Sequence, residues 1–140
     1  MSNYYIKYVW GPHAQEGYPD ENLIHFAEKQ ERACRRFRKC NGFLLYETGS
    51  KENGKTGAKA IYAQGIIALN QQKSVKKERS RNKEFPYAVK VVLRKRINPE
   101  DGISLEKIKE ITGVINIQRK GGLLEITEKQ YKKLLRLLNS

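Results

Sequence analysis

Three β-rich runs separated by turn chemistry constrain this chain most. Gly42-Phe-Leu-Leu-Tyr-Glu47, Ala60-Ile-Tyr-Ala-Gln-Gly-Ile-Ile-Ala-Leu69 and Tyr87-Ala-Val-Lys-Val-Val-Leu93 are rich in β-branched and aromatic residues. Between the first two, residues 48–59 hold Gly49, Asn53-Gly54 and Gly57. Asn-Gly supplies the positive φ that tight hairpin turns require, so the segment predicts a long hairpin. Gly65 inside the second run predicts a bulge or a close backbone approach. Such a middle has to build a sheet and find helices to cover it.

The flanks provide that cover. Tyr4-Tyr-Ile-Lys-Tyr-Val-Trp10 reads as a first strand stopped by Gly11-Pro12, and residues 11–22 read as an irregular loop. Asp20 caps a predicted helical stretch with Leu23, Phe26, Ala27, Cys34 and Phe37 inward, weakening at Gln30 into two short helices. Ser104 caps a short helix with Leu105, Ile108 and Ile111 inward, and Gly113 ends it. Residues 114–118 predict one more strand. Thr127-Glu-Lys-Gln130 is a capping box, stapled by Ile126 and Tyr131, with Leu134, Leu135 and Leu138 continuing the stripe. No repeat, linker or long parallel crossover is evident. The expectation is one α+β domain over residues 1–140, a mostly antiparallel, curved open β-barrel of five to six strands flanked by helices.

Charge narrows the partner. Lys and Arg total 28 against 15 Asp and Glu, a net charge of +13, well beyond what solubility requires. The excess recurs at Arg35-Arg36-Phe37-Arg38-Lys39, Arg94-Lys95-Arg96 and Arg119-Lys120, and in the loop 73–87, where six basic and two acidic side chains precede Phe85-Pro-Tyr87. Distributed clusters favour a binding face for a polyanion over a disordered tail. A membrane surface is the poorer partner, because no segment pairs these charges with a broad apolar face. The apolar runs are too short to span a bilayer, and Met1-Ser-Asn-Tyr-Tyr-Ile-Lys7 lacks a signal peptide's hydrophobic region, so no signal peptide is expected. Two cysteines are too few for a disulfide scaffold, which suits a reducing, cytoplasmic setting.

Gly49-Ser-Lys-Glu-Asn-Gly54-Lys55-Thr56 fits the phosphate-loop pattern at every position. A true phosphate loop starts a helix at its Lys-Thr pair. Here Gly57 follows at once and the next run is strand-like, so a glycine-rich hairpin tip is the better reading. His13, His25, Cys34 and Cys40 have no paired zinc-ligand spacing, and neither cysteine sits in a strained, glycine-rich turn with an oriented histidine. No cofactor, metal or catalytic group is expected. Trp10, the only tryptophan, stands where a strand gives way to a Gly-Pro loop, a rim position at which a base can stack.

From Phe43 onward the order of elements is familiar. A Phe-Leu-Leu-Tyr strand, a glycine-rich hairpin, an Ile-Tyr-Ala-Gln-Gly-Ile-Ile strand and a basic loop lead to Phe85-Pro-Tyr-Ala-Val-Lys-Val-Val, the Ile103-Ser-Leu-Glu-Lys-Ile helix and Gly121-Gly-Leu-Leu-Glu-Ile-Thr-Glu-Lys-Gln-Tyr131. This order resembles the EVE domains of the PUA-like superfamily, relatives of the YTH modified-base readers, over roughly two thirds of the chain. The resemblance implies a curved barrel with a cleft for a flipped, often modified base of DNA or RNA. It also implies kinship with the N-terminal DNA-reading domains of McrB-type restriction motors, and so a motor or nuclease partner. The N-terminal third departs from it: of the family's Trp-Gly-Val-Arg-Asn-like segment there remain Trp10-Gly11-Pro12 and Arg35-Arg36-Phe37.

The resulting expectation is a monomeric, non-catalytic nucleic-acid module. Its base cleft is lined by Trp10 with Tyr8, Tyr18 and Tyr46. Its backbone grip comes from Arg35, Arg36, Arg38, Lys76, Lys77, Arg79, Arg81 and Arg119. In this reading the loop 73–87 clamps phosphates beside the cleft, anchored by buried Phe85 and Tyr87. The competing readings are a nucleic-acid-processing enzyme with an unrecognised site and a basic protein-interaction module.

Overall fold

The computed structural model describes residues 3–11, 18–19, 22–52, 54–68, 74–75, 79–80, 83–84, 87–114 and 122–140. The strands are β1 (Tyr4–Val9), β2 (Leu23–Phe26), β3 (Gly42–Glu47), β4 (Lys51–Glu52), β5 (Lys55–Thr56), β6 (Ala60–Ile67), β7 (Ser74–Val75), β8 (Arg79–Ser80), β9 (Lys83–Glu84), β10 (Tyr87–Arg96), β11 (Ile103–Ser104) and β12 (Leu123–Ile126). The helices are α1 (Glu31–Arg38), α2 (Leu105–Thr112) and α3 (Glu128–Leu138). The main sheet runs β12-β1-β3-β6-β10-β2, with β11 added to β6 and β7 to β10. It curls into an open half-barrel of mixed strands.

Two expectations change. Residues 23–26 form a strand, where the sequence suggested helix. Leu23-Ile-His-Phe alternates in burial, and the free edge of β10 takes it up antiparallel, with Val89 opposite Ile24 and Tyr87 opposite Phe26. The helix starts only at Glu31, after a 3-10 turn over Glu28–Gln30 in which the Gln30 side chain accepts from the Ala27 amide at 3.0 Å. Asp20 lies outside the described residues. Second, β1 and β3 pair in parallel, Tyr4 opposite Gly42 through Val9 opposite Glu47. Parallel neighbours need a crossover, and β2 with α1 supplies it. The absence of a hydrophobic run long enough for a classical crossover helix hid this from the sequence.

Other elements match their residues. The Gly49–Thr56 segment is hairpin: Lys51 pairs with Thr56 and Glu52 with Lys55, so the Lys-Thr pair is strand and starts no helix. Gly65 is a close approach, since a Cβ there would meet Phe43 Cζ and the Val92 carbonyl at 2.6 Å each. Ser104 Oγ accepts from the Lys107 amide at 3.3 Å, and Gly113 ends α2 at φ +74°. Thr127 and Gln130 close the capping box reciprocally, at 3.1 and 2.9 Å. In the basic loop, β7 docks on β10 and β8 pairs with β9. Phe85 and residues 115–118 are outside the described residues.

The sheet has an apolar cluster on each face. One, roofed by α1, holds Tyr5, Ile24, Phe26, Phe37, Phe43, Leu45, Tyr62, Val89 and Val91. The other, roofed by α2 and α3, holds Ile6, Tyr8, Leu44, Tyr46, Ile61, Ile108, Leu134 and Leu138. Strand alternation sends successive residues of β1 and β3 to opposite clusters, so both strands are core on both sides. Tyr131 of α3 stacks on Tyr4 at 4.4 Å and accepts from Gln64 Nε2 at 2.7 Å, which ties the helix to the sheet.

One core residue is out of character. Lys7 is 6 % exposed, its Nζ 4.5 Å from the centre of the Phe26 ring and donating to the Tyr8 carbonyl at 3.1 Å. No carboxylate pairs with it among the described residues. Burial lowers its pKa from 10.5 to about 8. Because the folded chain then gives up this proton before the unfolded chain does, stability rises with pH from about 8 towards 10. Lys7→Met is expected to stabilise the fold at pH 7 by up to about 3 kcal/mol and to flatten that rise, as read by urea unfolding across the pH range.

Candidate nucleic-acid interface

Because β1 and β3 run in parallel, their C-terminal ends meet at one edge of the sheet. The Thr48 amide donates to the Val9 carbonyl at 2.9 Å, and the Gly11 amide donates to Thr48 Oγ1 at 3.1 Å. Glu47, fully buried, accepts from the Ala58 amide through Oε1 at 2.8 Å, and the Gly57 amide donates to the Ser50 carbonyl at 2.9 Å. Gly11 and Gly57 press backbone to backbone here. A Cβ on either would collide with the Thr48 carbonyl oxygen. The edge is therefore a bonded seam.

Trp10 sits on this seam and is 46 % exposed, beside a core where every other described large aromatic is at least partly covered. The four aromatics expected to line one cleft divide between the two faces. Tyr8 and Tyr46 are neighbours under α2, ring centres 5.9 Å apart and edge-on, and Tyr46 is fully buried. No ring face of Tyr46 is open to a base in this conformation. Tyr18 packs against the cluster of the opposite face. Its hydroxyl accepts from the His25 amide at 2.9 Å, and its carbonyl accepts from Arg96 at 2.9 Å and from the Tyr62 hydroxyl at 3.2 Å. Arg96 and Tyr62 thus fasten Tyr18, a role for which the sequence carries no local signal.

Among the described residues neither the Tyr8 nor the Tyr46 hydroxyl has a hydrogen-bond partner, and both oxygens are buried. An unpaired buried hydroxyl costs about 1–3 kcal/mol. Burial, then the neighbouring Tyr46, pushes the Tyr8 phenol well up; burial, then the charge of Glu106, pushes Tyr46 to about 12. Both keep their protons at neutral pH.

The cations divide as well. Arg32, Arg35, Arg36 and Lys39 are all exposed on α1 and its C-terminal flank. Their i, i+3, i+4, i+7 spacing puts them along one face. Arg35 shares Glu31 at 3.1 Å, an exposed pair worth a few tenths of a kcal/mol, and Arg36 lies 6.0 Å from the Tyr5 ring. Arg38 turns inward: its guanidinium approaches Cys34 Sγ at 4.0 Å, one helical turn back. Arg32 and Lys39 were readable from the same spacing that hides Phe37 and Cys34. On β10, Lys90, Arg94 and Arg96 are exposed. The side chain of Arg79 and all of Lys76, Lys77, Arg81 and Arg119 lie outside the described residues.

Among the described residues there is no cluster of three metal-ligating side chains, and no helix is long and apolar enough to cross a membrane. Cys34 and Cys40 are buried free thiols; burial raises both, Cys40 to about 12. Neither is a poised thiolate.

No protein-family model and no curated protein matches the sequence. Solved structures do match. An RNA complex of the YTH domain-containing protein mmi1 superposes with a TM-score of 0.62 at 12% identity, covering 97% of this chain and 80% of that one. The fold is YTH-like. A second crystal structure of the Mmi1 YTH domain with RNA gives the same TM-score and identity, covering 77% of that chain. The N-terminal domain of Staphylothermus marinus McrB gives 0.59 at 14% identity, covering 97% of this chain and 94% of that one. The YTH-like half-barrel is thus the PUA-like architecture that the element order suggested.

The seam tolerates no added atom. Gly57→Ala is expected to cost more than about 2 kcal/mol, because backbone atoms have to part, as urea unfolding of the variant measures.

Proposed function

We propose that this chain is a non-catalytic nucleic-acid-binding module, gripping a single-stranded backbone with α1 and holding one unstacked base at Trp10. The observation that carries the reading is the single-faced row Arg32, Arg35, Arg36 and Lys39, four cations on an exposed helix face of a +13 chain. Lys39 lies where α1 returns to the start of β1, the Asn3 side chain donating to its carbonyl at 2.7 Å, and Trp10 stands at the other end of β1. That strand spans about 20 Å, the reach of about three extended nucleotides.

The likeness to YTH domains solved with RNA supports the same class of partner. A modified base in DNA or RNA is the proposed ligand of the Trp10 end, with a stacking gain of about 1–3 kcal/mol against the few kcal/mol needed to unstack it. The likeness to the N-terminal part of McrB favours the module's serving as the specificity element of a restriction assembly, with a motor or nuclease supplied elsewhere in a reducing cytoplasm.

Fluorescence anisotropy with single-stranded RNA and DNA oligonucleotides across a salt series tests the reading. Arg32→Ala combined with Lys39→Ala is expected to flatten the slope of log affinity against log salt by about 1.4, about 0.7 per lost cation. An unchanged slope removes α1 from the interface, and cleavage or conversion of the oligonucleotide overturns the non-catalytic reading.

A further inference from the structure

We propose that the open face of β6 and β10 is a docking site for an acidic amphipathic helix of a partner protein, on the side of the sheet opposite α1. Helices cover only part of that side. Cover by α3 reaches Gln64, whose Nε2 donates to the Tyr131 hydroxyl at 2.7 Å. Two residues further along β6, Ile66 is half-exposed, and Val92, its partner across the ladder on β10, is 46 % exposed. Leu44, opposite Gln64, belongs to the cluster beneath α2 and α3, so the pleat puts Ile66 and Val92 on that same side. Val92 and Trp10 are the exposed large apolar side chains among the described residues. Of the two, Val92 stands in mid-strand with a half-exposed aliphatic partner beside it.

Cations frame this pair. Lys90 is exposed two residues before Val92, opposite half-exposed Leu23 of β2. Beyond Val92 the ladder bulges; Arg94 is exposed there, and Lys95 pairs with Gln64 on the same side. Strands β2, β6 and β10 contain no Asp or Glu. The face is therefore aliphatic at its centre and positive at both ends. A second copy of the chain, at +13, brings the same sign of charge and is repelled. A nucleic acid finds cations but no aromatic ring at the centre on which to stack a base. The complementary surface is apolar at its centre and acidic on both sides, and a helix supplies it at the right pitch. Carboxylates one turn before and one turn after a leucine lie about 6 Å from it along the helix axis, against about 7 Å from Val92 to Lys90 along the strand. A helix is also what covers the neighbouring part of this side, as α2 and α3. Because α1 roofs the other side, a partner here leaves the α1 cations open to nucleic acid.

The test uses the full chain and three fluorescein-labelled, alanine-rich helical peptides of about 18 residues. In the first, glutamates lie one turn either side of two central leucines. In the second, the same residues are shuffled so that glutamates and leucines occupy opposite faces. In the third, lysines replace the glutamates of the first. Fluorescence anisotropy at low salt is expected to show the first peptide bound at least about 5-fold more tightly than the second, and the third not bound. Val92→Thr, which keeps a β-branched residue in the strand, and Lys95→Glu are each expected to weaken the first peptide about 3- to 5-fold with little change in melting temperature. Arg94→Glu combined with Lys95→Glu is expected to reverse the preference in favour of the third. Amide shifts in nuclear magnetic resonance spectra are expected at residues 64–67 and 90–95. Equal binding of the first two peptides overturns the proposal and leaves only a generic attraction to negative charge. Absence of binding by the first peptide, or shifts confined to α1, overturns it too. So does displacement of the peptide by a single-stranded oligonucleotide that shifts the same β10 amides, which assigns the face to nucleic acid.

Discussion

The parallel pairing of β1 with β3 is the constraint on which the rest depends. Two strands hydrogen-bonded side by side and pointing the same way end at the same edge, and the chain between them has to cross a face of the sheet to return. That crossing is β2 and α1. It roofs one cluster with Phe37 and Cys34, and it leaves Arg32, Arg35, Arg36 and Lys39 facing out. The shared edge gathers Trp10, Glu47 and Thr48. The exposed cation row and the half-exposed tryptophan are two products of one pairing.

Electrostatics inside and outside the fold act in opposite senses. The exposed cations of α1 and β10 cost little where they stand, because water screens them, and they gain most when a polyanion displaces its counterions. Lys7 carries the same charge into the core, where the Tyr8 carbonyl and the Phe26 ring answer it. The fold tolerates this because β1 is covered on both faces and the two apolar clusters outweigh one penalised ammonium. With the Tyr8 hydroxyl, one residue along and without a hydrogen-bond partner among the described residues, it places two polar costs side by side on β1.

Much of the architecture was legible in the sequence because local chemistry dictated it. The Thr127–Gln130 capping box, the Ser104 cap with Gly113, the Asn-Gly hairpin and the runs around Phe43 and Ile61 each carry their signal within a few residues. The stretch around Leu23 was not legible. Three apolar residues and a histidine fit a helix or a strand, and only the open edge of β10 decides between them. The parallel pairing was equally hidden, since register between β1 and β3 is a long-range property. At the candidate site, the rim position of Trp10 was visible from a lone tryptophan before Gly-Pro, and the structure exposes it. The division of Tyr18 from Tyr8 and Tyr46 was not, because it follows from which face of the sheet each one enters. Arg32 and Lys39 were readable but needed the helix frame that begins at Glu31.

The close approach of Gly11 to Gly57 has a consequence for how such a module can diversify. The seam is held by main-chain atoms and by Thr48, Ser50 and Glu47. Any side chain at either glycine meets the Thr48 carbonyl oxygen, so a lineage of such chains has to vary its surface around the seam and not through it.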